Sequence, residues 1–264
     1  MNTIKLCFVF FLAVSLFSCK SNGETNEVTT KTETDANGFS YETTTNDPTG
    51  LRLYTLDNGL KVYLGKNEEE PKIQTLIAMR AGSTYDPADN TGLAHYLEHM
   101  VFKGTDEIGT QDWEAEKVLI QEISDLYEEH KAETDPEKKK AIYKKIDEVS
   151  QEASKISIAN EYDKMVGSLG AEGTNAFTSS EQTVYVNKIP ANELDKWLDV
   201  ESERFSQVVL RLFHTELEAV YEEFNRGQDS DGRKQYFAVL EGLYPNHPYG
   251  TQTTIGTSEH LKNP

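Results

Sequence analysis

The spacing of apolar residues predicts an α+β fold from Leu51 onward. Two short runs rich in strand-forming residues, 51–56 and 60–64, flank Asp57-Asn58-Gly59, a turn sequence typical of β-hairpins. Residues 73–81 form a nearly continuous apolar run, which predicts a third strand in the centre of a sheet. A helix is then expected to begin near residue 90.

The middle of the chain predicts a helical hairpin. Between about residues 110 and 160, apolar residues recur at helical spacing and charged residues fill the remaining positions. Thr134-Asp135-Pro136 supplies a helix cap followed by proline at the first helical position, where a second helix would begin. We interpret this segment as a helical hairpin with a solvated charged face, whose polar residues need no functional role; as a self-contained insert it can project from the surface.

The remaining pattern completes the predicted fold class. A loop at 167–173 precedes one strand over 175–186, and helices are expected over 191–208 and 215–226. Strands, a helix, the insert, a strand and further helices follow one another in this order. The sequence therefore predicts an α+β domain in which helices pack on a layered, antiparallel-type sheet.

The N-terminus predicts export. Residues 1–18 contain an apolar run of about a dozen residues, shorter than the roughly 20 that a transmembrane helix needs but typical of a signal peptide. The ending Leu16-Phe17-Ser18-Cys19 resembles a bacterial lipobox and predicts lipid attachment at Cys19. An ordinary secretory signal is the alternative. The lipid-anchored interpretation places the protein in the cell envelope, on a bacterial membrane, with the outer membrane favoured.

Residues 19–50 are expected to be a flexible tether between the lipid and the domain. They are rich in Thr, Asn, Glu, Gly and Asp, and contain two aromatic residues. Such a composition buries too little apolar surface to offset the entropy cost of ordering. The folded domain is accordingly predicted to span 51–264.

Composition narrows the possible chemistry. The chain has 26 Lys and Arg against 45 Asp and Glu, a formal net charge of −19, which argues against a nucleic-acid partner. Its two cysteines, Cys7 and Cys19, both lie near the N-terminus. A metal site in the domain must therefore use histidines and carboxylates.

The predicted helix after residue 90 carries such groups. At 100° per residue, its apolar side chains form one face, while His95, Glu98 and His99 fall together on the other. Two histidines four residues apart can bind one zinc ion, and the glutamate between them can accept a proton from water. The order H-x-x-E-H is the inverzincin pattern. Two ordinary helical histidines are the alternative interpretation.

The predicted helix at 215–226 offers a third ligand. Glu216 and Glu223 are seven residues apart and lie on the same side of its apolar stripe. Glu223 can act as a ligand, with Glu216 two turns away as a supporting carboxylate. An amphipathic helix with exposed glutamates would explain the same pattern if the H-x-x-E-H segment were absent.

Taken together, these motifs resemble the pitrilysin/insulinase family of zinc metallopeptidases, which includes mitochondrial processing peptidases. The resemblance runs from about Leu51 to the end of the chain. The matching segments, in order, are 56–60, 92–105 (GLAHYLEHMVFKGT), 175–178, 216–223 and 247–250.

The resemblance assigns roles to particular residues. It implies one zinc ion per chain, held by His95, His99 and Glu223, with Glu98 as the general base and Glu216 as the supporting carboxylate. It also implies that a peptide substrate pairs with an edge strand at Asn175, Ala176 and Phe177. The implied activity is endoproteolysis of peptides or unfolded protein segments.

Members of this family continue with further helix and strand and then with a homologous second domain. The resemblance therefore implies that this chain is an N-terminal peptidase lobe, incomplete at its C-terminus. Full activity would then need a second lobe or a partner chain. The alternative is a non-catalytic or partner-dependent subunit of a two-chain peptidase assembly.

Overall fold

The computed structural model describes residues 28–262, which divide between Glu70 and Pro71 into two compact units. The predicted signal peptide and Cys19 lie outside the described residues. No helix within 28–262 combines the length and the apolar character that crossing a membrane requires.

The unit that ends at Glu70 contains a four-stranded antiparallel sheet in the order β1-β2-β3-β4. Its strands are β1 (Thr30–Thr34), β2 (Ser40–Thr44), β3 (Arg52–Thr55) and β4 (Lys61–Leu64). The hairpin predicted around Gly59 is present as β3 and β4, and Gly59 takes the positive φ of 87° that favours glycine.

Strands β1 and β2 correct the prediction of a flexible tether over 19–50 for the part of it that lies between Thr30 and Thr44. The Asp35 side chain accepts hydrogen bonds from the backbone N–H groups of Asn37 and Phe39 and so closes the turn between the strands. The Tyr41 ring is largely buried, with its centroid 5.4 Å from that of Tyr54. Composition alone was misleading because threonine, although polar, is β-branched and favours strands.

The unit that begins at Pro71 contains a three-stranded antiparallel sheet in the order β5-β7-β6. These strands are β5 (Lys72–Met79), β6 (Glu172–Thr178) and β7 (Thr183–Pro190). The single strand predicted over 175–186 is wrong, because the polar run 179–182 forms the turn between β6 and β7. The predicted central position of residues 73–81 is also wrong, since β7 lies between the other two strands.

Eight α-helices lie in this unit within the described residues. They are α1 (Leu93–Met100), α2 (Trp113–Ala132), α3 (Pro136–Ser154), α4 (Glu161–Ser168), α5 (Leu194–Ser206), α6 (Phe213–Gln228), α7 (Asp231–Leu243) and α8 (Pro248–Thr251). The predicted cap of α3 is confirmed, because the Asp135 carboxylate accepts from the N–H groups of Glu137 and Lys138 and is followed by Pro136. Helices α4, α7 and α8 were not predicted.

The helical hairpin α2–α3 does not project from the surface. Its buried residues Ile123, Tyr127, Ile146 and Val149 share one core cluster with α1 and α6, the latter contributing Leu217 and Val220. A second cluster, between the sheet and helices α4 and α5, contains Tyr162, Val166, Ile189 and Trp197. The insert hypothesis failed because the apolar stripes of α2 and α3 pack together with α1 and α6 in one core, as the stripe of an amphipathic helix normally does.

Candidate metal centre

Contacts from the preceding loop fix the residue at which helix α1 begins. The Asp86 carboxylate accepts hydrogen bonds from the backbone N–H groups of Gly92, at 2.7 Å, and Ala94, at 2.9 Å. Gly92 has a φ of 93°, and a Cβ atom there would lie 2.7 Å from the backbone oxygen of Ile255. The start of α1 is therefore fixed by an acidic cap and by a close backbone approach that only glycine permits.

The two faces of α1 separate packing from chemistry. Tyr96 and Met100 are buried in the core, and the Tyr96 hydroxyl donates a hydrogen bond to the backbone oxygen of Phe213 at the start of α6. His95, Glu98 and His99 lie on another side of the helix and line a cavity of about 740 Å³. This packing joins α1 to the helix that carries Glu216 and Glu223.

His95, His99 and Glu223 form a three-residue cluster. The Glu223 Oε2 atom lies 3.6 Å from Nε2 of His95 and 3.7 Å from Nε2 of His99. One ligand atom from each residue lies within 4.8 Å of the others. Within the described chain, this is the one group of three or more such residues that could hold a metal ion.

The chemistry of this cluster fits a zinc ion. Glu223 Oε2 is buried and has no hydrogen-bond partner, although it faces two imidazole nitrogens. Buried polar atoms in proteins normally have a partner, and a cation among the three donors would be one. Two imidazoles and one carboxylate, with room for water, form the ligand set of several catalytic zinc sites. Ligand atoms at about 2.0–2.2 Å from a tetrahedral zinc ion lie about 3.5 Å from one another, close to the 3.6 and 3.7 Å that separate Glu223 Oε2 from the two histidine nitrogens.

Glu216 supports the cluster from behind His99. Its Oε1 atom lies 2.8 Å from Nδ1 of His99, and its Oε2 atom lies 2.5 Å from Nζ of Lys103. Engaging Nδ1 leaves Nε2 of His99 directed at Glu223. Burial opposes ionisation of Glu216, but the hydrogen bonds from His99 and Lys103 outweigh it and hold the pKa of this carboxyl below its usual value.

The two histidines differ in basicity in the metal-free protein. Burial, with a smaller contribution from the charge of His99, lowers the pKa of His95 to about 4. Burial also acts to lower the pKa of His99, but the hydrogen bond and the charge of Glu216 outweigh it and raise that pKa above its ordinary value. His95 is therefore neutral at physiological pH, as a metal ligand must be.

Glu98 lines the same cavity but does not belong to the three-residue cluster. Its carboxylate is largely buried and accepts a hydrogen bond from the Thr178 hydroxyl at the end of β6. Burial raises the pKa of Glu98, and the Thr178 hydrogen bond only partly offsets this effect. A carboxylate with a raised pKa is a stronger base than an exposed one.

The structure brings every predicted site residue within 28–262 to the same cavity. Besides the residues of α1 and α6, its walls include Asn175, Ala176 and Phe177 on β6. These three belong to an edge strand, as predicted, because β6 pairs with β7 alone among the described strands. Cys19, the predicted lipid-attachment residue, lies outside the described residues.

Several residues that line or support the site were not predicted from the sequence. Lys103 contacts Glu216, and Thr178 contacts Glu98. Helix α7 contributes Tyr236 and Phe237 to the cavity. Thr178 could have been found, since it ends the segment that begins at Asn175. Lys103 lies within the matching segment 92–105, but nothing in that segment marks it as a partner of Glu216; α7 carries no motif, and both roles depend on tertiary packing.

A helix with H-x-x-E-H, completed by a glutamate from a second helix, is the arrangement typical of inverzincin metallopeptidases. The family model described as "Insulinase (Peptidase family M16)" matches residues 61–145 and 146–253. The chain belongs to this family, which confirms the resemblance seen in its motifs.

Individual relatives agree with this assignment. The chain is 23% identical to an uncharacterized zinc protease, YmxG, of Bacillus subtilis, over 80% of this chain and 40% of that protein. It is also 23% identical to the mitochondrial-processing peptidase subunit beta of Dictyostelium discoideum, over 85% of this chain and 39% of that protein. The chain thus spans about 40% of the length of these two relatives.

Solved structures show the same fold. A protease from Helicobacter pylori superposes with a TM-score of 0.58 at 25% identity, over 81% of this chain and 40% of that chain. Pitrilysin superposes with a TM-score of 0.54 at 21% identity, over 82% of this chain and 18% of that chain. The α+β class predicted from the sequence is therefore confirmed as that of pitrilysin-like protease lobes.

Proposed function

We propose that this protein is a zinc-dependent endopeptidase that hydrolyses peptides or unfolded segments of proteins. The observation that carries the proposal is the cluster of His95, His99 and Glu223, with Glu98 lining the same cavity. One zinc ion per chain would be held by these three ligands. When bound, zinc supplies a Lewis acid that polarises a carbonyl and makes water more acidic.

The residues of the chain then have distinct tasks. Glu98 removes a proton from the attacking water and returns it to the leaving amine, while the Thr178 hydroxyl holds its carboxylate in place. Glu216 fixes the orientation of the His99 ring through Nδ1.

The substrate backbone is proposed to pair with β6 at Asn175, Ala176 and Phe177. One edge of β6 pairs with β7, and in the described chain no strand covers its other edge. An extended peptide can add to such an edge through main-chain hydrogen bonds, which favour an unfolded substrate over a folded one. Phe177 is 46% exposed and offers an apolar contact beside the cavity.

We further propose that Cys19 carries a lipid that anchors the protein to a membrane of the bacterial cell envelope, the outer membrane being favoured. A separate proposal is that the active assembly contains a second lobe or a partner chain. It is supported by relatives that are subunits of mitochondrial-processing peptidase and by the greater length of the relatives. A non-catalytic subunit of a two-chain assembly is the second candidate, and it is supported by the same named subunits. The complete ligand set favours the catalytic candidate.

The experiment measures zinc content and cleavage of an unstructured fluorogenic peptide by the full protein, with and without a chelator. We expect one zinc per chain, loss of cleavage with the chelator, and loss of at least about 10²-fold in kcat for Glu98→Gln with zinc retained. His95→Ala is expected to abolish zinc binding. Full activity of Glu98→Gln, or an unchanged zinc stoichiometry in His95→Ala, would refute the proposal.

One further result separates the two candidates, and another tests the lipid anchor. Zinc binding without cleavage, even with the companion lobe or chain present, would favour the non-catalytic subunit. For the anchor, Cys19→Ala is expected to move the protein from the membrane fraction to the soluble fraction. Retention of that variant in membranes would contradict lipid attachment at this residue.

A further inference from the structure

The loop that follows α1, residues 103–109, is held by one buried arginine from the other side of the site. Arg211 is 1% exposed, and its Nη1 donates to the backbone oxygens of Lys103 and Ile108, both at 2.9 Å. Its Nη2 donates to the backbone oxygen of Thr105 at 2.8 Å, and its Nε donates to the Glu116 carboxylate at 2.7 Å. Four of the five N–H bonds of the guanidinium are thereby used.

The loop is shaped to admit this side chain. A Cβ atom at Gly109 would lie 2.7 Å from Nη1 of Arg211, and one at Gly104 would lie 3.1 Å from the same atom. Both glycines have φ near 100°, in the region that other residues rarely adopt. The backbone of Val209 donates to the oxygen of Gly104, so the segment 209–211 binds the loop at four carbonyls.

Arg211 stands directly before the helix that carries Glu216 and Glu223. One residue, Leu212, separates it from α6, and the backbone of Leu212 is in the left-handed region with a φ of 56°. A non-glycine residue keeps this conformation only where its surroundings enforce it. The loop after α1 and the start of α6 are thus fixed to each other through Arg211.

A chain of contacts continues from Arg211 to the metal cluster. The backbone of Lys103 is held by Arg211, and its ammonium contacts Glu216, which in turn contacts Nδ1 of His99. We propose that Arg211 is a positioning residue for the metal centre. It sets Lys103 and Glu216 so that the His99 ring is aligned with His95 and Glu223. This inference rests on the proposed function, because it concerns the affinity of that cluster for zinc.

The counter-charge of Arg211 comes from α2, in the helical hairpin. Glu116 is fully buried, and its Oε1 atom also accepts from the Ser157 hydroxyl at 2.7 Å. The hairpin therefore contributes to the centre although none of its residues lines the cavity. Lysine cannot replace Arg211 in this role, because an ammonium lacks the planar fork that reaches several carbonyls at once.

The test measures the affinity of the full protein for zinc(II) by competition with a chromogenic chelator. Arg211→Lys keeps the charge and removes the fork, and we expect the dissociation constant to rise about tenfold or more. Arg204→Lys is the matched control, because Arg204 is also 1% exposed and paired to a carboxylate, Glu201, without a hydrogen bond to the loop. Its zinc affinity is expected to stay within about twofold of the parent value.

A double variant distinguishes an effect of Arg211 through Glu216 from a non-specific destabilisation of the fold. If Arg211 acts through Glu216, the combination of Arg211→Lys with Glu216→Gln weakens zinc binding by less than the product of the two single effects. Independent, multiplicative effects would overturn the inference. If Arg211→Lys does not fold, Glu116→Gln takes its place, because glutamine keeps an oxygen acceptor for Nε of Arg211 but removes the charge. We expect Glu116→Gln to weaken zinc binding by less than Arg211→Lys would.

The possible outcomes keep this inference separate from the proposed function. If the parent protein binds no zinc that depends on His95, both are wrong. If the parent binds zinc and folded Arg211→Lys, or Glu116→Gln in its place, binds it with unchanged affinity, only the role of Arg211 is wrong. A weakening as large in Arg204→Lys as in Arg211→Lys would likewise overturn it.

Discussion

Replacing Ile146 by alanine tests whether the helical hairpin is part of the core. Ile146 lies in α3, has 0% exposure, and packs in the cluster that includes Leu217 and Val220 of α6. The change removes three carbon atoms, each contributing about 0.8 kcal/mol of transfer free energy. A residual cavity adds to this, and the expected loss in the free energy of unfolding is about 3–4 kcal/mol.

The assay is equilibrium unfolding in urea, followed by far-ultraviolet circular dichroism, with a chelator present so that metal binding does not contribute. Ile146→Ala should lower the transition midpoint at a similar slope. Val118→Ala is the control, because Val118 lies in α2 of the same hairpin but is 63% exposed, and it should cost less than about 0.5 kcal/mol. A cost below about 1 kcal/mol for Ile146→Ala would refute the reasoning and favour a hairpin that packs only on itself.

Three further predictions address other parts of the molecule. Zinc at 100 times its dissociation constant should stabilise the parent protein by about 2.7 kcal/mol and leave His95→Ala unaffected, as measured by thermal unfolding. Gly104→Ala should destabilise the protein, because φ is +104° and a Cβ atom would lie 2.1 Å from the backbone oxygen of Ile108. The control Gly232→Ala should be neutral or stabilising, because a Cβ atom there would meet open space. Equal effects of the two variants in urea unfolding would contradict this prediction. The pKa of His95 is about 4 in the metal-free fold and 6.5 when unperturbed. As pH falls, the His95 imidazole is therefore protonated in the unfolded chain before it is protonated in the folded protein. Metal-free stability should therefore decline from pH 6.5 towards 4, and less steeply in His95→Asn; identical slopes would show that His95 is not buried as described.

The parts of the site that could be predicted from the sequence are those that obey local helical geometry. His95, Glu98 and His99 share a face because residues three and four apart lie together on a helix, and Glu216 and Glu223 align because seven residues make nearly two turns. These relations do not depend on the rest of the fold. They also carried the family resemblance, which the family match then confirmed.

The parts that could not be predicted depend on contacts between distant segments. Arg211 and Glu116 are 95 residues apart, and neither belongs to a recognisable motif. The hairpin was interpreted as surface because its charged residues are numerous, yet its apolar stripes decide where it packs. The turn at 179–182 was missed because the polar run there was taken as part of one long strand, whose apolar residues in fact belong to two strands.

Among the described strands none pairs with the outer edge of β6, and this edge bears on how the protein behaves in concentrated solution. An unpaired strand edge can template pairing with a second copy of the same chain, which is a route to aggregation. Here the register of β6 against β7 shifts between Glu172 and Asn175, so regular pairing is limited to Asn175–Thr178. A short usable edge and a net charge of −19 both disfavour self-association. The irregularity in this strand thus helps to keep copies of the chain apart.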